Sequence, residues 1–494
     1  MLRVPTRVTS GHNHVALRFV VGSLPAYAVL FAIHAQNSLG PLLAGRVPPD
    51  LGYSPEASTL LERLQVATLA YLFVIYGRTL VRWKRGEVTA RALAPAVLLL
   101  TLAAWALIPA NSSDTLEYLG FGRLFGLYGM NPYTHTYSEI SDSFSQYITW
   151  DNPMPYGTPL LPIFTLAGVL SARDVLLGIY ALKLTWAALH LVNAWMLYRI
   201  ARHLTGDATF AVFVFACNPL ILLETVANGH NDGVLIFSGL AALMAMLYRR
   251  EALAIVLAFV GAIVKLAGIF WVLAIFALLV RRRQWRAVAW GTAASAVAAL
   301  VVVLWPGCLD ALTVLNSQWH YSSDSLHTIL IDRVANASAR FSDRWNYDRF
   351  FQAERLIATA VFAAVIAWRL RSVRDMGGVL RESGYLLLAL LLGYAVSVGP
   401  WYFTWLLPTA ALTDSERLRR TILVTCVSAV VLYAFPYTTV EPMIRHQWAA
   451  SLRLLMAFGF PAVFFLLYPF GVRVYQYLRP VDVWTIVPAV TERP

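Results

Sequence analysis

Residues 251–283 read EALAIVLAFVGAIVKLAGIFWVLAIFALLVRRR, and between Glu251 and Arg281 the only charged side chain is Lys265. A run this apolar is typical of a segment that lies in a lipid bilayer. Basic residues flank it on both sides, and it is too short for two full crossings of about 20 residues each. We therefore predict a hairpin of two short helices with its apex near Lys265; one long, tilted helix is the alternative.

The composition of the whole chain is that of a membrane protein. Of its 494 residues, 59% are hydrophobic and 13% are charged, whereas soluble domains carry about 25% charged residues. This composition excludes a disordered chain, a coiled coil and an ordinary soluble enzyme. Because lipid leaves only helices or closed barrels for the backbone, and apolar runs of this length favour helices, we predict an all-α polytopic transmembrane bundle. The runs suggest about 12–14 spans, with further helices in the extracytoplasmic loops.

The positions of the basic residues predict the orientation. The net charge is +12, and Lys and Arg concentrate in cytoplasmic loops. Placing every basic cluster in the cytoplasm leaves two large loops, 111–174 and 306–354, on the outer face of the plasma membrane. The short apolar segment 159–171 is then expected to lie in the outer leaflet. The predicted divisions are an N-terminal pair of helices (1–90), a central transmembrane module (91–305), the second outer loop (306–354) and C-terminal helices (355–494).

The first group of polar residues on the predicted outer side follows the third apolar run. Asp114, Glu117 and Tyr118 are spaced to share one face of a helix. A carboxylate where a span leaves the membrane is suited to accept a proton from a hydroxyl group. The structural alternative is a helix cap, in which Ser113 or Asp114 begins a helix and Glu117 completes a capping box.

Three further groups are predicted on the same side. Glu224 precedes the sequence Asn-Gly-His-Asn-Asp at 228–232, which is more polar than a plain turn requires. Lys265 stands alone among apolar residues, where it could bind a phosphate or extend to the membrane surface. Pro400-Trp401-Tyr402 interrupts an apolar run running from 385 to 412, as a second hairpin apex. Its rings could form the wall of a sugar or lipid site, or a simple aromatic kink.

In these residues the sequence resembles the bacterial and actinobacterial GT-C glycosyltransferases, which are integral membrane enzymes that use polyprenyl-phosphate sugars. Its nearest likeness is to the polyprenol-phosphate-mannose-dependent mannosyltransferases, over roughly residues 91–412. The sequence departs from many relatives in placing two serines, rather than a second acid, before Asp114, and in having two additional N-terminal spans. The resemblance rests on Asp114…Tyr118…Gly122-Arg123…Gly129…Asn131-Pro132-Tyr133, Tyr156-Gly157-Thr158-Pro159, Asn228-Gly229-His230-Asn231-Asp232, Lys265 and Pro400-Trp401-Tyr402.

The resemblance implies transfer of a sugar, expected to be mannose, from a polyprenyl-phosphate donor to a lipid or glycan hydroxyl. Asp114 would be the general base, and inversion at the anomeric carbon would follow; a retaining route would need Glu117 or Asp232 as nucleophile. The donor phosphate would meet Lys265, Arg123 and His230. Contacts with donor or acceptor sugar are expected from Glu117, Tyr118, Asn131, Tyr133, Tyr156, Glu224, Asn228, Asn231, Asp232, Trp401 and Tyr402.

The expected partners are the lipid-linked donor, the acceptor and membrane lipids, and nucleic acid is not expected because the positive charge is explained by orientation. No cofactor is predicted, and no ligand pattern supports a divalent metal. Two other classes remain open. A lipid-linked polysaccharide polymerase or ligase would share the large outer loops. A secondary transporter is disfavoured because the polar residues lie on one side only.

Overall fold

The computed structural model describes residues 14–46, 59–110, 112–308, 325–327, 344–434 and 455–478. Every regular element in these ranges is a helix, so the predicted all-α membrane bundle is confirmed. The principal helices are α1 (His14–His34), α2 (Thr59–Arg82), α3 (Ala90–Ala106), α4 (Asp114–Tyr128), α5 (Leu161–Ser171), α6 (Val175–Leu204), α7 (Ala208–Ala216), α8 (Pro219–Ala227), α9 (Asp232–Leu247), α10 (Glu251–Val264), α11 (Ile269–Arg281), α12 (Trp285–Leu304), α13 (Arg344–Leu370), α14 (Met376–Tyr394), α15 (Leu407–Leu412), α16 (Glu416–Ala429) and α17 (Phe460–Leu478).

The helices differ in their capacity to cross a membrane. Within the described ranges, seven are long and apolar enough, and the bent pair α7–α8 would make an eighth. Five other apolar helices have 10–17 residues, which is short of the roughly 20 that a full span needs. The sequence-based count of 12–14 crossings therefore holds only if these shorter helices also cross.

Helix breaks occur where the sequence places prolines and isolated polar residues. Asn218 accepts a hydrogen bond from Leu220 N and starts α8 at Pro219, which bends the α7–α8 pair by 47°. Lys265 is extended (φ −145°, ψ 131°) between α10 and α11, so the predicted hairpin apex is observed. A second break follows α14, and a 3₁₀ turn begins at Pro400.

The basic clusters lie at the opposite end of these hairpins. Arg281 ends α11, which has 13 residues and is therefore about 20 Å long, whereas Lys265 precedes its first turn. Arg281 donates a hydrogen bond to Arg371 O (2.8 Å), and Arg85 donates one to Gly206 O (2.8 Å). The molecule therefore has one pole rich in arginine and another pole at which the hairpin apices lie.

Residues 129–160, which we name the cap, fold into short turns over α4 and α5. Buried rings of the cap, including Tyr133, Tyr137 and Phe144, form a separate small core with both helices. Within the predicted loop at 111–174, the described residues, which exclude Asn111, form α4, the cap and α5. Most of the second predicted loop, at 309–324 and 328–343, lies outside the described residues.

Candidate active site

Asp114 reaches the site through an extended segment that follows α3. The helix ends at Ala106, and Leu107 is extended. Two residues later Pro109 disfavours helical backbone at Ile108 and cannot donate a helical hydrogen bond to Trp105 O, so the helix does not continue. The freed carbonyls find side-chain donors: Lys183 Nζ binds Trp105 O (2.7 Å) and Leu107 O, and His34 Nδ1 lies 2.8 Å from Ile108 O. These contacts fix the segment immediately before Asp114.

The Asp114 carboxylate faces a polar cluster and does not cap its helix. The helix does begin at Asp114, but Ser113 makes no side-chain cap and Glu117 accepts hydrogen bonds from Thr149 N and Trp150 N, so no capping box forms. Asp114 Oδ2 accepts a hydrogen bond from Tyr118 OH (3.0 Å) and lies 3.2 Å from His230 Nδ1. Its side chain is 26% exposed, whereas that of His230 is fully buried. Asp114 is therefore the accessible member of this pair.

The turn at 228–231 closes tightly onto α4. Gly229 has φ +77°, and a Cβ atom there would lie 2.8 Å from Thr115 Oγ1, so both backbone conformation and space favour glycine. Thr115 Oγ1 donates to Asn228 O (2.6 Å), and Ala110 N donates to Asn228 Oδ1 (3.2 Å). The Asn-Gly pair thus joins the turn to the segment that bears Asp114.

His230 lies between two carboxylates. Its Nδ1 faces Asp114, and its Nε2 is 3.3 Å from Glu224 Oε2. Burial alone would lower the pKa of His230, but the hydrogen bonds and charges of Asp114 and Glu224 outweigh it and raise the pKa to about 9. Burial likewise favours a raised pKa for Asp114, yet His230 and Lys265 hold that pKa below its usual value. At neutral pH the pair is therefore an imidazolium and a carboxylate.

Lys265 has an acidic partner that its sequence neighbourhood does not contain. Its Nζ lies 2.7 Å from Asp232 Oδ1, to which Trp405 Nε1 also donates a hydrogen bond (2.5 Å). The pair forms across 33 residues of sequence, because the two break points of the fold, at 228–232 and at 265, lie side by side. The Lys265 side chain remains 10% exposed.

Aromatic rings enclose these charged groups. Lys265 Nζ lies 5.7 Å from the ring centroid of Tyr156 and 5.2 Å from that of Tyr402, while Trp401 stacks on His230 at 4.1 Å. Tyr156 belongs to the cap, and the next residue, Gly157, approaches α10 so closely that a Cβ atom would lie 2.1 Å from Ile263 O. Cationic groups bounded by ring faces suit an anionic, sugar-bearing ligand.

Several candidate residues make other contacts. Arg123 pairs with Asp142 (2.7 Å) and donates to Tyr137 OH, which fastens the cap to α4. Glu117 holds the cap at 149–150; burial raises its pKa to about 7 despite these hydrogen bonds. Asn131 donates to Pro306 O, and Tyr133 OH donates to Tyr156 O (2.8 Å). These four residues therefore hold the cap in place, and they make no hydrogen bond to Asp114, His230 or Glu224 among the described residues.

Other polar groups of the cluster retain bonding capacity. Asn231 is buried, and neither atom of its side-chain amide has a hydrogen-bond partner among the described residues. In the same part of the chain, Asp232 Oδ2 and Glu224 Oε1 have none. No group of three or more His, Cys, Asp or Glu side chains is placed to hold a metal ion within the described ranges.

Two further residues of this region, Lys183 and Trp405, were not among those predicted from the sequence. Lys183 is fully buried in α6, and a lone lysine in a 30-residue apolar helix is itself a signal of function or of a specific partner. Trp405 follows Trp401 by four residues in the 3₁₀ turn that begins at Pro400, so its nearness to this break was the available signal.

Comparison with known proteins gives the family. The family model described as alpha-(1->6)-mannopyranosyltransferase, N-terminal domain, matches residues 21–283, more than half of the chain. The chain belongs to this family. The alpha-(1->6)-mannopyranosyltransferase A of Mycobacterium tuberculosis is 25% identical over 395 residues, covering 75% of this chain and 74% of that protein. The enzyme of the same name from Corynebacterium glutamicum is 25% identical over 136 residues, 26% of each chain.

The resemblance to GT-C mannosyltransferases is confirmed by this membership. The matched residues of the mannopyranosyltransferase family include Asp114, His230, Asp232 and Lys265, and they end before Trp401 and Trp405. The chain is thus a membrane glycosyltransferase of a mannosyltransferase family, with its polar cluster at the pole opposite to the arginines.

Proposed function

We propose that this chain transfers mannose from a polyprenyl-phosphate donor to a hydroxyl of a lipid-linked or free glycan, at the extracytoplasmic face of the plasma membrane. The observation that carries the proposal is the accessible Asp114 carboxylate, held by a buried imidazolium beside an ammonium ringed by aromatic side chains. The relatives are named for an α-(1→6) mannosyl linkage, and we propose the same linkage for this product.

In this reaction the acceptor oxygen attacks the anomeric carbon while the bond from that carbon to the phosphate oxygen breaks. The electron pair leaves with the polyprenyl phosphate, and the acceptor proton passes to Asp114. A carboxylate with a lowered pKa is a weak base. It takes the proton late, when the developing positive charge of the sugar has made the attacking hydroxyl acidic. Its ionised state is secured at neutral pH by His230.

The leaving phosphate needs positive charge rather than a proton. Lys265 supplies it, with Asp232 and Trp405 orienting the ammonium before the donor binds. Tyr156 and Tyr402 lie beside the ammonium, where their rings pack against the sugar. Arg123 is assigned to the cap instead of the phosphate, because Asp142 and Tyr137 occupy its guanidinium.

The arrangement favours a single displacement with inversion. A retaining reaction needs a second carboxylate free to act as nucleophile. Asp232 is fully buried with its Oδ1 bound by Lys265 and Trp405, and Glu117 is bound to the cap backbone, which supports Asp114 acting alone as a base. A β-linked donor would then give an α-linked product.

The test is mannose transfer by the purified protein in lipid nanodiscs. The donor is polyprenyl-phosphate β-mannose with labelled sugar, the acceptor is an α-(1→6)-linked mannose oligosaccharide, and a nucleotide-linked mannose serves as the alternative donor. We expect transfer from the lipid donor only, and an α-(1→6) product by nuclear magnetic resonance. Transfer from the nucleotide sugar alone, or a β-linked product, would refute the proposal.

The role of Asp114 is tested by Asp114→Asn. We expect a loss of about 10²- to 10⁴-fold in turnover, as for removal of a general base, with donor binding retained. The matched control is Asp151→Asn. Asp151 is a carboxylate of the cap whose hydrogen bond comes from Ser138 N and not from the Asp114 cluster. Full activity of Asp114→Asn would exclude it as the base.

A further inference from the structure

A cavity lies near the arginine-rich pole of the molecule. It is a groove of about 600 Å³ between α13, α14 and α17. Aliphatic and aromatic side chains form most of its wall, and Arg369 and Arg417 are its charged residues. No residue in the most apolar part of α13 is fully buried, and Leu356, Ile357 and Val361 are exposed, so the outer face of this helix is available to lipid. We name this cavity the arginine groove.

Each of the two guanidinium groups lies over an aromatic ring, and the two rings meet edge to face. Arg369 lies 3.9 Å from the centroid of Tyr385, and Arg417 lies 3.7 Å from that of Phe465. The rings of Tyr385 and Phe465 are themselves 6.0 Å apart. Stacking on an aromatic face leaves the edge of a guanidinium free to donate to an oxyanion.

The position of Arg417 follows from a proline in α17. Pro469 has no N–H, so the carbonyl four residues earlier, Phe465 O, loses its helical donor. Arg417 Nε fills this role at 2.9 Å. Among the described residues this is the only hydrogen bond of the Arg417 side chain, and its two terminal nitrogens remain available for an anion.

The charged end of the arginine groove carries an excess of positive charge. Arg369 pairs with Glu382, whose other oxygen meets Arg381 at 3.2 Å, and Arg381 also meets Asp414. Together with Arg417, this end of the groove has three arginines and two carboxylates. An apolar groove with surplus positive charge at one end is complementary to an amphiphile with an anionic head group.

We propose that the arginine groove binds an anionic glycerophospholipid, with its phosphodiester between Arg369 and Arg417. One acyl chain lies along α13 from Arg369 towards Ala358, a distance of about 16 Å at the rise of an α-helix. This length suits an acyl chain rather than a full polyprenyl chain. The site lies at the arginine-rich pole, since Arg371 meets Arg281 there, and is therefore separate from the sugar-transfer site.

The experiment compares phosphatidylglycerol with phosphatidylcholine bearing identical chains. Binding to the purified full-length protein is followed by native mass spectrometry, together with the midpoint of thermal unfolding. We expect phosphatidylglycerol to bind more tightly and to raise the midpoint further. Equal effects of the two lipids on the wild-type protein would overturn the proposal. Tighter binding of polyprenyl phosphate than of phosphatidylglycerol would show that the occupant is wrong.

Arg417→Gln isolates the head-group contact, because the glutamine amide can still donate to Phe465 O. We expect about tenfold weaker binding of phosphatidylglycerol, the loss of one charge-assisted hydrogen bond. Arg282→Gln is the matched control, since Arg282 is an exposed arginine of the same pole that does not line the groove. Equal losses in the two variants would reduce the effect to net charge and overturn the proposal.

Gly393→Leu tests the acyl-chain path without touching either arginine. Gly393 lines the groove, and a Cβ atom there would have no neighbour within 4 Å. The variant should weaken binding of phosphatidylglycerol with palmitoyl chains. Binding of phosphatidylglycerol with hexanoyl chains should be unchanged, because these chains are too short to reach Gly393. Unchanged binding of both lipids would exclude this path for the chain.

Discussion

At the residue scale, the charge of the site depends on one imidazole. The pKa of His230 is raised to about 9 in the folded protein, above the ordinary value of about 6.5 that the unfolded chain has. The charged contacts therefore stabilise the fold fully below about pH 6.5, and this stabilisation is lost as the pH rises through about 9. We expect the midpoint of thermal unfolding to fall over this interval.

His230→Gln should show a much smaller decline over the same pH range, because its side chain does not titrate. His203→Gln, which changes an exposed histidine outside the cluster, should decline as the wild type does. Parallel curves for the wild type and His230→Gln would contradict the assigned proton.

Lys183 gives a second prediction at this scale. It supplies the donors for the carbonyls of Trp105 and Leu107 and thus fixes the segment before Asp114. Lys183→Met keeps the length of the side chain but leaves these buried acceptors without a donor, at a cost of about 1–3 kcal/mol. We expect a lower unfolding midpoint and a loss of turnover that exceeds any change in donor affinity.

Lys183→Arg is the matched variant, since it retains nitrogen donors for the two carbonyls, and it should recover part of both properties. An unchanged unfolding midpoint and turnover in Lys183→Met would show that the carbonyls do not need this donor.

At the scale of elements, two glycines set the distance between α4 and α5. A Cβ atom at Gly122 would lie 1.8 Å from Phe164 O, and one at Gly168 would lie 2.5 Å from Arg123 N. Gly122→Ala should therefore separate the helices and destabilise the protein by about 1–3 kcal/mol. It should also lower turnover, because Tyr118 and Phe164 stack at 4.6 Å across this contact.

The control for this prediction is Gly77→Ala in α2, where a Cβ atom would meet nothing within 4 Å. Alanine is the better helix former, so this variant should be neutral or slightly more stable by thermal unfolding. A neutral Gly122→Ala variant would be inconsistent with the close packing of α4 on α5.

Helix breaks were predictable from the sequence because their causes are local. A lone lysine in an apolar run marked the apex at 265, and proline with two aromatic residues marked the break at 400. Partners were not predictable in the same way. Asp232 comes 33 residues before Lys265, and Asp142 reaches Arg123 only when the cap has folded over α4. The number of crossings was not predictable either. Helices of 10–17 residues are shorter than a full span, so their length does not decide whether they cross the membrane.

At the scale of the whole molecule, the two poles predict which end of the protein faces the cytoplasm. The arginine-rich pole should face the cytoplasm and the cap should face outward. We expect Ser143→Cys, at an exposed position of the cap, to react with a membrane-impermeant maleimide in intact cells. Arg282→Cys should react only after permeabilisation. The native cysteines Cys217, Cys308 and Cys426 are buried, so they should give little background, and the reverse labelling pattern would invert the topology.

The contacts of the polar cluster also impose an order on its assembly during synthesis. Asp114 meets His230 across 116 residues, and Asp232 meets Trp405 across 173. A growing chain has therefore inserted Glu224, Asp232 and Lys265 before the tryptophan that completes their surroundings leaves the ribosome. The Lys265–Asp232 ion pair can form before Trp405 is present, and each charge of the pair then neutralises the other within the membrane during this interval. The polar cluster is therefore complete only after the chain has entered the membrane as far as Trp405.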